Sequence, residues 1–155
     1  MKTRGFTLIE LVVTLAIIAL LAALAVPMAQ LAVERHKESE LREGLRQIRG
    51  AIDAYHQAWL DGRIEKKADE VGYPPDLDVL VNGVKDSSSP KGAKIYFLRR
   101  LPRDPFAPAD LPADQTWGLR SYESPPDAPA PGKDVFDVYA PEDGKGLNGV
   151  PYREW

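Results

Sequence analysis

Few residues in this chain are equipped for covalent chemistry. None of its 155 residues is cysteine. That excludes a thiol nucleophile, a disulfide scaffold, a cysteine-type zinc site and an iron–sulfur cluster. The two histidines, His36 and His56, fall on a segment that reads as helix, with no nucleophile near either. His56 adjoins an apolar stripe and is expected to pack or to face solvent. Asp104 and Asp137 lack the spacing of a working carboxylate pair, and Gly144-Lys145-Gly146 lacks the rest of a phosphate loop. Trp117, Tyr122, Phe136 and Tyr139 alternate as core residues do. No catalytic site is predicted. The unusual charge is Glu10, at the front edge of an apolar run. A carboxylate at the centre of a membrane helix costs about 2.5–3.5 kcal/mol, less near the interface. A simple anchor has no use for it.

The elements that must carry these residues divide the chain unevenly. Leu11 to Val33 is a stretch of 23 residues without a charge, rich in Leu, Ala, Ile and Val. As a helix it spans a hydrocarbon core of roughly 30 Å. Of 14 prolines, only Pro27 precedes Pro74, so the first part can be one long helix and the last part cannot. Twenty Lys and Arg stand against 23 Asp and Glu, a net charge of −3. No basic excess is available to displace counterions from phosphates, so nucleic acid is not an expected partner.

Three signals share the look of this N-terminus. A secretory signal peptide would have the basic start Met1-Lys2-Thr3-Arg4 and a small-residue site such as Ala23-Leu24-Ala25. Against it, the apolar run continues past Ala25 and Glu10 interrupts its front. A plain membrane anchor leaves Glu10 unexplained. The third signal uses every feature. Gly5-Phe6-Thr7-Leu8-Ile9-Glu10, behind a short basic leader and ahead of the apolar run, resembles the processing site of type IV pilins and type II secretion pseudopilins. The resemblance implies that residues 1–5 are a leader removed by a prepilin peptidase after Gly5. It implies that Phe6 becomes the new, N-methylated terminus and that Glu10 pairs with the terminal amine of a neighbouring subunit. Pairing removes two uncompensated charges from an apolar core, which makes Glu10 a registry device. Pro27 falls where many family members carry a helix proline. It removes one amide donor and crowds the carbonyl four residues earlier, so a kink is expected.

Basic residues do not settle the membrane orientation, since Arg35, Lys37, Arg42 and Arg46 follow the run and only Lys2 and Arg4 precede it. The cytoplasmic N-terminus rests on the resemblance.

Beyond the run, Leu41, Leu45, Ile48, Ile52, Tyr55 and Trp59 form a one-sided stripe at helical period. Glu34, Arg35, Lys37, Glu38, Arg42, Glu43, Arg46 and Arg49 are assigned to the opposite face. Gly44 and Gly50 each cost roughly 1 kcal/mol against alanine there. Asp61-Gly62 ends the helix. The organisation expected is a hydrophobic helix over 6–33, an amphipathic continuation over 34–62 and a globular domain over 63–155. In that domain Pro74-Pro75-Asp76 opens a short helix through Val81, with Asp76 as cap and Asn82-Gly83 as its end. Residues 84–94 are read as a polar loop. Trp117–Tyr122, Val135–Tyr139 and Tyr152–Trp155 are read as strands. The fold class expected is α+β and pilin-like, a long helix packed on an antiparallel sheet of about three strands.

The resemblance reaches into this domain. Arg100-Leu101-Pro102-Arg103-Asp104-Pro105-Phe106 is similar to the proline–aspartate–proline–aromatic segment of major pseudopilins, as is Phe136-Asp137-Val138-Tyr139 followed by a glycine-rich loop and a closing Trp155. Type IV pilins usually end in a cysteine-closed loop, which this chain cannot form. The resemblance also implies a calcium ion in the last loop, for which Asp143 and Asn148, with Glu142 and local carbonyls, are the candidates. The loop is shorter and less acidic than the family's and has Lys145 at its middle. A plain glycine turn is the favoured reading and calcium the alternative.

The reading that follows is a structural subunit of a type II secretion pseudopilus. It would sit in the bacterial inner membrane with its C-terminal domain in the periplasm. Its partners would be copies of itself, the prepilin peptidase, other pseudopilins and the secretion assembly platform. The alternatives are a type IV pilin or minor pilin of a surface pilus, and an unprocessed single-pass anchor carrying a periplasmic domain.

Overall fold

The computed structural model describes residues 5–67 and 70–155, and within these the side chains of Leu24 and Val26 are left aside. Met1–Arg4, the bulk of the expected leader, lies outside the described residues. The chain forms two units, Met1–His36 and Lys37–Trp155.

Helix α1 runs over Leu8–Leu60, with Pro27 inside it. Its C-terminal end is set by Gly62, whose φ of 73° no other residue type adopts at so little cost. The Arg63 amide donates to the Ala58 carbonyl at 2.9 Å and the Gly62 amide to Trp59 at 3.1 Å, a Schellman closure of the last turn. In the second unit the predicted stripe is the core. Leu41, Leu45, Ile48, Ile52 and Tyr55 are buried, Trp59 is half-buried, and they cluster with Leu77, Leu80, Trp117, Val135, Val138 and Tyr152. Gly44 faces this core too. A Cβ there would lie 3.1 Å from the ring of Trp117, whose indole N–H donates to the Pro102 carbonyl at 2.9 Å. Glycine at 44 therefore admits the tryptophan.

Helix α2, Asp78–Asn82, starts later than the sequence suggests, but Asp76 caps it through Oδ1, which accepts from the Val79 amide at 2.9 Å. Gly83 ends it with a φ of 73°. The Leu80 carbonyl then takes the amides of Phe97 and Leu98 at 3.0 and 2.9 Å, which brings the 95–98 segment onto the core.

The α+β class with a long helix and small antiparallel sheets holds, but the sheet differs in detail from the one expected. Two separate two-stranded pairs replace a single sheet of three. Strands β1 (Val84–Lys85) and β2 (Lys94–Ile95) pair antiparallel inside the segment read as loop. The turn between them is held by Asp86, which accepts from Ser88 Oγ at 2.5 Å and from Arg63 at 2.6 Å. Strands β3 (Gly118–Arg120) and β4 (Asp137–Tyr139) pair with Leu119 opposite Val138. The third expected strand is absent. Tyr152–Glu154 is a 3-10 helix. Pro151 has no amide to offer a ladder, and the Glu154 and Trp155 amides bond back to Pro151 and Tyr152.

Candidate functional site

Gly5, Phe6 and Thr7 precede α1 outside any helix or strand. Gly5 has no heavy atom beyond its chain neighbours within 4 Å of where a side chain would begin, and Phe6 is 86% exposed. Among the described residues nothing packs against either side of the bond expected to be cut. Glu10 sits in the first turn. Its Oε2 accepts from the Thr7 amide at 2.9 Å and from Thr7 Oγ1 at 2.8 Å, while Thr7 Oγ1 accepts from the Glu10 amide at 3.3 Å. This is a reciprocal capping box, which satisfies donors that a helix start otherwise leaves bare. The Thr-x-x-Glu spacing ahead of an apolar run could have disclosed it, and the sequence reading overlooked it. In the single chain, then, the glutamate is held on its own helix end.

Behind it, every described side chain from Phe6 to Val33 is exposed. An 18-residue window of this stretch has mean hydropathy 2.8, long and apolar enough to cross a membrane. A helix apolar all round that is bare of neighbours needs lipid or other helices about it. Pro27 lies within this stretch, and helix α1 continues through it.

The second unit carries the other candidates. Glu38 is the residue most misjudged from sequence. It is not on the solvent face: it is 4% exposed, and Oε1 accepts from the Leu147 amide at 2.6 Å and from the Tyr152 hydroxyl at 3.5 Å. Arg42 stands 3.6 Å from its other oxygen and lies over the Trp155 ring at 4.0 Å. The helical period alone could not show this, because the partner is a backbone amide 109 positions away.

Asp143 and Glu142 are exposed, and the Asn148 side-chain oxygen accepts from the Val150 amide at 3.1 Å. Lys145 bridges to Pro151 in the same loop. No group of three or more His, Cys, Asp or Glu comes together among the described residues. Calcium asks for six to eight oxygens, several of them charged, and this donor set does not supply them.

Asp104, in the proline-rich segment, is fully buried. Oδ1 accepts from the Phe106 amide at 2.8 Å, and Oδ2 has no hydrogen-bond partner among the described residues. Burial pushes its carboxyl above the ordinary aspartate value, against the pull of the Phe106 and Ala107 amides and of Arg103. His56 stacks on Tyr73 at 4.3 Å and its Nδ1 meets the Gly72 carbonyl at 3.1 Å, which makes it a packing residue.

An exposed apolar helix with a glutamate in its first turn, followed by a small α+β domain, defines a pilin-like subunit. The family described as the prokaryotic N-terminal methylation motif matches residues 1–26. The type II secretion system core protein G of Pseudomonas aeruginosa is 32% identical over 144 residues, 90% of this chain and 82% of that protein. The protein of the same name from Klebsiella pneumoniae is 31% identical over 109 residues, 68% of this chain and 70% of that one. The type IV major fimbrial protein FimA of Dichelobacter nodosus is 45% identical over 88 residues, 56% of this chain and 51% of its own. No solved structure matches. The chain belongs to the family of type II secretion system core protein G. It is a pseudopilus subunit, and the class is structural rather than enzymatic.

Proposed function

We propose that the chain is cut after Gly5 by a prepilin peptidase and methylated on the amine of Phe6. Residues 6–33 would hold it in the bacterial inner membrane, with the globular domain in the periplasm. Copies would then leave the bilayer and stack through this helix into a filament that drives export of other proteins. Other pseudopilins and an assembly platform would act as partners, and the energy would come from an ATPase elsewhere. One observation carries the reading: every described side chain from Phe6 to Val33 is exposed and most are apolar, and the only acidic residue in that stretch, Glu10, stands one turn from where the new amine would form. Lipid tails are as apolar as leucine, so leaving them for other helices gains little from hydrophobicity. The polar pair between Glu10 and a neighbour's amine would supply register.

The surface-pilus alternative draws on the likeness to FimA, which spans only about half of each chain, whereas that to core protein G spans most of both.

Intact-mass measurement of the protein extracted from membranes tests the processing. Loss of Met1–Gly5 with one added methyl group is expected. An uncut chain would mean a plain anchor, and a cut after Ala25 a secreted protein. Glu10→Ala should still insert and be cleaved but assemble poorly; normal filaments from it would remove the registry role.

A further inference from the structure

The last loop closes over a buried carboxylate, that of Glu38. From Asp143 the chain turns back on itself, with Gly146 donating to Val150 at 2.9 Å and Tyr152 to Gly144 at 3.0 Å. Its glycines are spaced for packing. A Cβ at Gly144 would stand 2.6 Å from the Tyr152 ring, and one at Gly146 2.2 Å from Trp155. Neither has a positive φ, so glycine is needed at both for closeness alone. The two rings meet edge to face at 4.9 Å, and Phe106 stacks on Tyr152 at 4.6 Å. Over this aromatic bed the Leu147 amide reaches down to Glu38 at 2.6 Å. The charge of Glu38 is met by Arg42, itself spread on Trp155. An amide directed at a carboxylate is the opposite polarity from a carbonyl directed at a metal.

We infer that Glu38 is the anchor of the C-terminal loop, an internal carboxylate doing the organising for which the family resemblance suggests calcium, so that this domain closes without a metal ion. The inference does not depend on filament assembly.

Trypsin cleavage after Lys145, the exposed lysine of the loop, reads its opening in the full-length chain held in detergent micelles. The unmodified protein should be cut at the same rate in excess calcium chloride and in excess EGTA, with the same thermal midpoint. Glu38→Gln, which keeps an acceptor for the Leu147 amide but removes the charge, should be cut roughly tenfold faster, since a charge-assisted buried hydrogen bond becomes an ordinary one and Arg42 loses its partner. Gly146→Ala should do the same by lifting the loop off Trp155. Circular dichroism checks that each variant is folded; if Glu38→Gln is not, Gly146→Ala and the calcium arm still decide. Protection or a raised midpoint brought by calcium overturns the inference. So does a folded Glu38→Gln whose loop resists cleavage like the parent.

Discussion

Asp104 shows how one atom can set a pH dependence. Its Oδ1 is used to turn the chain through Pro105, and its Oδ2 is buried with no hydrogen-bond partner among the described residues. Desolvation favours the neutral acid, so the folded chain holds this proton to higher pH than the unfolded chain, in which an aspartate titrates near 3.8. Below that value both states are protonated and nothing is lost. Above it the unfolded state sheds the proton first, and stability falls as pH rises until the buried group ionises as well. Asp104→Asn keeps the acceptor for Phe106 and cannot ionise. Its thermal midpoint should match the parent's at strongly acid pH and exceed it increasingly toward neutrality. Parallel midpoints across the whole range would show that folding leaves the titration of this carboxyl unchanged. Sequence placed Asp104 in a recognisable segment, yet its burial was not legible there, since its amide donates to Thr116 Oγ1 at 3.2 Å, twelve positions on.

Helix α1 shows what periodicity can and cannot convey. The stripe from Leu41 to Tyr55 was legible because side chains at three- and four-residue spacing must share a face, and those residues are the core. The same reasoning misplaced Glu38, since angle around a helix says nothing about a loop that arrives to cover it. It also gave Gly44 and Gly50 one cost. Gly50 is exposed, with no heavy atom outside its own helix within 4 Å, so Gly50→Ala should raise stability by about 1 kcal/mol in chemical denaturation. At Gly44 the added methyl meets Trp117 at 3.1 Å, and the Pro102 carbonyl tethers that indole. The gain in helix propensity is there offset by overpacking, which costs about 1–3 kcal/mol in well-packed cores. Gly44→Ala should therefore be neutral or destabilising. Equal stabilisation at both sites would mean that the tryptophan gives way freely. The short strands were hardest to read. Two or three residues offer no alternation to count, and prolines at 141 and 151 deny the ladder a third member.

For the molecule as a whole, exposed apolar side chains are distributed as sharply as the prolines. Of the twenty large ones among the described residues, fourteen lie between Phe6 and Val33. The six others, Leu60, Val71, Tyr96, Tyr122, Leu147 and Val150, are scattered over the second unit, as single surface hydrophobics are on most proteins. The second unit also holds its own core, with the buried stripe of α1 inside it. If self-association is driven by the first helical half, a chain of residues 34–155 should fold with a cooperative thermal transition close to that of the full protein. It should sediment as a monomer without detergent and form no filaments. The full chain should need detergent or lipid, because each large apolar side chain left in water forgoes about 1.5–3 kcal/mol. Sedimentation velocity on the shortened chain is decisive. A stable oligomer would mean that the globular surface carries assembly information of its own, and Glu10 with its apolar helix would then set register without being the sole source of association.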